Sequence, residues 1–195
     1  MDTDAIGKIL GPRFGIVSKD GARALHELEL PEDAAILDVG TGSGNFAIYL
    51  ASRGYEVITG EPSTDTSHYA RRDWALNAEK AGVLDKIRFE AFDVSHLPFE
   101  SKRFDAVFFF GVLHHVAEHL RGDAFREALR VSKPGGAVVF FEPRKEMLEK
   151  LWAEDAEHPH AANPSDYLAD ASVNEQRIEG EMMDIFVYRK SAPVR

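Results

Sequence analysis

Cysteine is absent from the 195-residue chain. That excludes disulfide cross-links, thiolate zinc sites and cysteine nucleophiles. Basic residues are in deficit: Lys plus Arg number 23 against 33 Asp plus Glu, a formal net charge of −10. Such a surface repels phosphate backbones, so nucleic acid is an unfavourable partner without a local basic patch. Long apolar runs are lacking as well. The longest, residues 106–113, is eight residues, far short of the roughly 20 that span a bilayer, so no membrane association is expected. The opening MDTDAIGKIL has neither the basic nor the apolar block of a signal peptide. No repeat, low-complexity tract or Pro/Gly/Ser linker divides the chain, and a soluble cytoplasmic protein is the default expectation. What remains is ordinary globular composition, 44% hydrophobic and 29% charged, sufficient for one domain with a core.

Short apolar runs alternate with helical periodicity along the chain. Residues 35–39 (AILDV), 55–59 (YEVIT), 87–92 (IRFEAF), 104–110 (FDAVFFF) and 137–141 (AVVFF) read as strands. Helices are expected at 21–28 after a loop at GPRFG, at 45–53, around Trp74 to Ala81 with Tyr69 on the same side, from a cap at Asp123 to Val131, and at 145–156. The run SKPGG reads as a chain break, and 165–171 as a short helix. Residues 175–179 and 184–189 fit a closing antiparallel pair. Strands alternating with helices predict an α/β fold: a Rossmann-like, doubly wound, mostly parallel seven-stranded sheet with an antiparallel C-terminal strand. Residues 1–30 form an N-terminal helical segment, with Arg13 and Phe14 placed to act as a lid, and 31–195 form the main domain.

The most informative segment is Asp38-Val39-Gly40-Thr41-Gly42-Ser43-Gly44-Asn45, directly after a strand and opening a helix. Glycines there let the backbone turn tightly and approach a ligand, while the helix N-terminus offers free N–H groups. A dinucleotide fingerprint would place its third glycine at 45, where this chain has Asn45. Glu61 follows the second strand, 23 residues beyond Asp38. One carboxylate at that place can accept hydrogen bonds from two ribose hydroxyls. Asp38, Glu61, Asp93 and Gly111 all come just after strands, so an open parallel sheet brings them to one crevice. Three carboxylates there oppose a polyanion and suit a cationic ligand.

Four segments together resemble the class I S-adenosylmethionine-dependent methyltransferases, in the general methyltransferase-domain branch. They are ILDVGTGSG, VITGEPS, FEAFDVSHLPFESKRFDAVFFFGVLHHV and LRVSKPGGAVVFFEP, in unbroken order over about residues 30–145. The family often has Cys where Thr41 stands and Asp where Glu61 stands. The resemblance implies S-adenosyl-L-methionine as cofactor and S-adenosyl-L-homocysteine as product. It implies that Asp38, Gly40, Thr41, Gly42, Gly44 and Asn45 surround the methionine part, with Asp38 reaching the ammonium group through water. Glu61 would hold the ribose. Asp93 and Val94 would meet the adenine amino group and ring, with Pro62 and Phe92 packing on it. Phe110 and Gly111 would line the methionine arm. Phe110 could also turn a π face to the sulfonium; Phe108 and Phe109 belong to the core.

The implied function is methyl transfer to a small-molecule acceptor by in-line displacement. A non-catalytic cofactor-binding module and a protein or nucleic-acid methyltransferase stay open, and a nicotinamide-dependent oxidoreductase is argued against by Asn45. The absence of N/D-P-P-Y after the fourth strand speaks against one class of base methylases. His114 and His115 are candidates for a general base. His115 and His119 at i and i+4 suit two metal ligands on one helix face, but no third ligand is evident and no metal is expected. His96 reads as a loop residue, His158 and His160 as solvated, and Arg71-Arg72 as a surface pair. Oligomeric state is not encoded in any feature read here.

Overall fold

The computed structural model describes residues 2–66, 70, 73–168 and 173–190. The expected Tyr69 and Arg71-Arg72 positions lie outside the described residues, as does 169–171 of the helix expected after Ser165. Seven strands form one sheet: β1 Ile36–Val39, β2 Val57–Gly60, β3 Ile87–Phe89, β4 Phe104–Phe110, β5 Ser132–Pro143, β6 Val173–Glu179 and β7 Met183–Lys190. Their order is β3-β2-β1-β4-β5-β7-β6. Neighbours from β3 to β5 run parallel, while β7 is antiparallel to both β5 and β6. The chain leaves β1 toward β2 on one side and later returns to β4 on the other. The crevice beyond the carboxyl ends of β1 and β4 is therefore the switch point.

Strand periodicity divides the core in two. Ile36, Ala106, Phe108, Val139 and Phe141 face one layer, with α1 Thr3–Leu10, α2 Pro12–Leu28 and α3 Asn45–Ser52. Leu37, Val107, Phe109, Val138 and Phe140 face the other, where α5 Glu118–Val131 brings Phe125, Ala128 and Leu129. Such two-sided burial explains why the strands read as continuous apolar runs. Two further helices among the described residues are α4 Trp74–Lys80 and α6 Lys145–Glu154.

Several expected boundaries move for identifiable reasons. GPRFG is not a loop: Gly11, at φ 88, separates α1 from α2, and Pro12 opens α2, a position where its missing N–H costs nothing. Phe14 is fully buried in the core, so it is no part of a lid, whereas Arg13 lines the cavity described below. Asp123 does not cap α5. The helix starts five residues earlier at Glu118, and the Asp123 carboxylate pairs instead with Arg126 one turn on. SKPGG does not break the chain but begins β5, with a register shift opposite Phe104–Ala106. Gly136 has no Cβ there because one would lie 2.9 Å from the Asp105 carbonyl oxygen. The short helix expected after Ser165 is a 3-10 turn over Pro164–Tyr167, capped by the Asn163 side chain.

The N-terminal helices are pinned to the far end of the chain by Asp20. This fully buried carboxylate accepts hydrogen bonds from the Met182 and Met183 N–H groups at 3.1 and 3.0 Å, and also from Glu181 N–H. Gly60, at the end of β2, is equally constrained. A Cβ there would lie 1.9 Å from the Glu90 carbonyl oxygen and 2.4 Å from the Phe92 ring. Gly60→Ala should therefore lower stability by at least about 1–3 kcal/mol, the usual overpacking cost. Urea denaturation reads this, and an unchanged midpoint would contradict the close approach of these backbones.

Candidate functional site

The strand ends build one cavity of about 430 Å3 at the switch point. At its centre the chain leaves β1 through Gly40, Gly42 and Gly44, all at positive φ (87, 48 and 80°), which only glycine adopts cheaply. The Gly40 N–H donates to the Gly60 carbonyl at 2.8 Å and ties the ends of β1 and β2 together. A Cβ on Gly40 would lie 2.4 Å from Val112, so this glycine also lets the loop close on the exit of β4. Asn77 of α4 donates to the Ser43 carbonyl at 2.9 Å and supports the loop from outside.

Beneath the loop lies a buried polar chain. Thr59 Oγ1 donates to Asp38 Oδ2 at 2.8 Å, and Thr41 Oγ1 lies 3.0 Å from Thr59 Oγ1. Thr59 has one hydroxyl proton, already given to Asp38, so Thr41 must be the donor in the second bond. Asp38 is only 1% exposed, and its Oδ1 has no hydrogen-bond partner among the described residues. Burial pushes its pKa up to about 7; the Thr59 bond opposes that rise, and the charge of Glu61 adds to it. Glu61, also buried, accepts the Gly42 N–H at 2.9 Å, which fixes its carboxylate against the loop. Asp93 Oδ1 accepts both the N–H and the hydroxyl of Ser95, at 2.8 and 2.7 Å. Those bonds hold its carboxyl below the ordinary carboxylate value. Asp93 thus caps a turn and borders the cavity at once.

The structure brings Gly40, Thr41, Gly42, Asn45, Glu61, Pro62, Asp93, Val94, Phe110 and Gly111 onto the cavity wall, together with Phe92, His114 and His115. Asp38 and Gly44 are not on that wall: Asp38 lies under the loop, and Gly44 packs against Trp74. Phe110 stacks on Phe46 with ring centroids 4.9 Å apart.

The other end of the cavity is apolar, walled by Val17, Val112, Leu120, Met147, Leu151 and Met183. Histidines interrupt it, and here the sequence reading needs correction. His115 belongs to a 3-10 turn, Leu113–His115, and α5 begins only at Glu118. His115 and His119 therefore do not share a helix face. His158, expected in solvent, is 5% exposed, and its ring centroid lies 5.3 Å from that of His114 and 5.0 Å from that of His115. Desolvation and the neighbouring histidines hold the pKa of His115 down at about 3, against the pull of Asp65 and Asp155. An imidazole so reluctant to take a proton is a poor general base. His158 is lowered as well, first by burial and then by His114.

Two groups at this end were not read from the sequence. Glu142, 2% exposed at the end of β5, binds His114 Nδ1 through Oε2 at 2.8 Å and accepts the Ala162 N–H at 2.9 Å. Its position after an apolar strand is the signal that singled out Asp38 and Glu61. Arg121 donates to the Val116 and His114 carbonyls at 2.9 and 3.2 Å and to Tyr167 Oη at 2.7 Å. It clamps the turn that carries the histidines; nothing local in the sequence marks it.

A pH-dependent stability follows from Asp38. The folded chain holds this proton up to about pH 7, whereas an unfolded carboxyl releases it near its ordinary 3.8. In that window the native state binds more protons, so the contribution of this group to stability falls as pH rises. Asp38→Asn should raise the melting temperature at pH 8, and the gain should shrink toward zero near pH 4. Thermal scans across pH measure this; a pH-independent difference would contradict the raised pKa.

Residues 37–140 match the family described as "Methyltransferase domain". A 27-O-demethylrifamycin SV methyltransferase from Amycolatopsis mediterranei is 35% identical over 104 residues, 53% of this chain and 36% of the relative. A demethylmenaquinone methyltransferase from Deinococcus radiodurans is 38% identical over 109 residues, 55% of this chain and 42% of that protein. The chain spans well under half the length of these curated relatives. Among solved structures, a Pyrococcus horikoshii OT3 protein superposes with a TM-score of 0.74 at 19% identity, covering 94% of each chain. A SAM-dependent methyltransferase from Aquifex aeolicus does so at 0.63 and 20%, covering 96% of this chain and 97% of its own. With the family match spanning the glycine loop, the exit of β4 and most of β5, this chain belongs to the methyltransferase-domain family.

Proposed function

We propose that the chain transfers the methyl group of S-adenosyl-L-methionine to a small-molecule acceptor. One observation carries this reading: the ends of four parallel strands deliver the glycine loop, Glu61, Asp93 and Gly111 to one cavity with an apolar far end. The residues fit such a donor. The Oδ1 of Asp38, buried without a partner among the described residues, is matched by an ammonium group, directly or through water. Glu61 offers a carboxylate to the ribose, and Asp93 with Val94 lies where an adenine edge would end. Pro62 and Phe92 flank its faces, and Gly111 leaves room for the methionine arm. The donor supplies an electrophilic methyl on a sulfonium sulfur. The chain aligns the acceptor with that carbon and keeps water out. Arg13, Ile16 and Val17 cover the cavity from the N-terminal segment, which we assign as its lid.

The apolar end favours small, largely hydrocarbon acceptors over nucleic acid, in keeping with a chain of net charge −10. Relatives named for rifamycin, demethylmenaquinone and sterol substrates support the same class. A second reading has one specific support. A relative from Neonectria, 31% identical over 128 residues, is named an S-adenosyl-L-methionine-dependent Diels-Alderase. In that reading the donor is bound but not consumed, and the apolar chamber folds a substrate. Formation of S-adenosylhomocysteine in step with product separates the two.

Calorimetry tests the binding half. S-adenosylhomocysteine should bind once per chain, and Gly42→Val, at a backbone φ of 48°, should weaken binding at least about tenfold (about 1.4 kcal/mol). Unchanged affinity in a folded Gly42→Val protein would overturn the loop assignment. An ammonium group beside Asp38 should also drive off its proton. With a pKa of about 7, roughly half a proton should be released per ligand at pH 7. The binding enthalpy should then vary with buffer ionisation enthalpy, and Asp38→Asn should remove that dependence.

A further inference from the structure

We infer that His114, His115 and His158 form a divalent metal site at the acceptor end of the cavity. One ring nitrogen from each lies within 4.8 Å of the others. Some point therefore lies within about 2.8 Å of all three nitrogens. Each ring closes by at most about 0.7 Å to reach the ~2.1 Å of a zinc–nitrogen bond, a rotamer-scale adjustment. The inference rests on the cofactor reading only for what the metal is used for, not for its binding.

The surroundings are those of a ligand set. Glu142 holds Nδ1 of His114 at 2.8 Å and is itself fixed by the Ala162 N–H. Carboxylate behind imidazole is the usual outer-shell arrangement of a metal-bound histidine, and it leaves Nε2 for the ion. The other two histidines are anchored through their backbones or turns. The His158 carbonyl accepts the Trp152 indole N–H at 2.8 Å, and His158 N–H donates to the Asp155 carbonyl at 3.0 Å. His115 sits in the turn that Arg121 clamps at the His114 carbonyl. Asp65 and Asp155 add negative potential at His115; Arg13 opposes it at His158, but its guanidinium is paired with Glu154.

Three nitrogen donors with a further position open to the cavity suit Zn2+ or a neighbouring late transition metal. An ion here would lower the pKa of a coordinated acceptor hydroxyl. The acceptor is then an alcohol, phenol or enol. Its O–H proton leaves to solvent, and an oxygen lone pair becomes the new O–CH3 bond. The electron pair of the broken C–S bond stays on sulfur, so one proton is released per turnover.

The test uses the whole 195-residue chain after dialysis against a chelator. ZnCl2 should bind once per chain, and Co2+ should give the intense visible bands of tetrahedral nitrogen coordination. His115→Ala, on an exposed side chain, and His158→Asn should each weaken binding at least about 100-fold, and Glu142→Gln about 10- to 100-fold. His119→Ala should leave binding unchanged. No stoichiometric uptake, or uptake indifferent to His115→Ala, would overturn the site. S-adenosylhomocysteine titration of the same metal-free samples keeps the two readings apart. Cofactor binding without metal uptake removes only the metal site; metal uptake without cofactor binding supports the site and removes the methyl-donor reading.

Discussion

The site turns on a carboxylate that the fold buries without fully satisfying. Asp38 lies near the end of β1 under the glycine loop, with one oxygen bonded to Thr59 and the other unpartnered among the described residues. Burying an unpaired polar atom costs about 1–3 kcal/mol or more. The sheet tolerates this because Ile36, Leu37 and Val39 anchor the strand on both faces. The unsatisfied oxygen creates a standing preference for a cationic or donor group above the loop. Around it, Gly40 lets Val112 close on the loop, Gly60 lets the Glu90 backbone and the Phe92 ring approach, and Gly42 turns the chain at positive φ.

The cavity has two chemically distinct ends. Carboxylates and loop N–H groups gather at the ends of β1, β2 and β3. Apolar side chains from α2, α5 and α6 and a knot of histidines gather beyond β4 and β5. A polar, charged ligand and a less polar one can thus meet beside Phe110 and Gly111, at the exit of β4. Clamps made by Arg121 and Glu142 give the second end the rigidity that the glycine loop gives the first.

Much of this was legible in the sequence. The nearly unbroken apolar runs FDAVFFF and AVVFF, interrupted only by Asp105, announced a doubly covered parallel sheet. The glycine loop and Glu61 marked the polar end, because those signals are local. What escaped notice depends on long-range placement. Gly11-Pro12 read as a loop, since capping and looping use the same residues. Asp123 read as a cap because the buried core-facing stripe of α5 begins only at Ala124, while the preceding turn is held by the long reach of Arg121. His158 read as solvated because its neighbours are polar in sequence; its partners His114 and His115 lie more than forty positions away. No periodicity carries information of that range.

The most direct test is a crystal structure with S-adenosylhomocysteine. The account predicts the amino-acid end of the ligand above Gly40 and Gly42, with its ammonium toward Asp38. The ribose should lie on Glu61 and the sulfur should point past Gly111 toward the histidines. Density for the ligand elsewhere, or with its adenine at the histidine end, would contradict it.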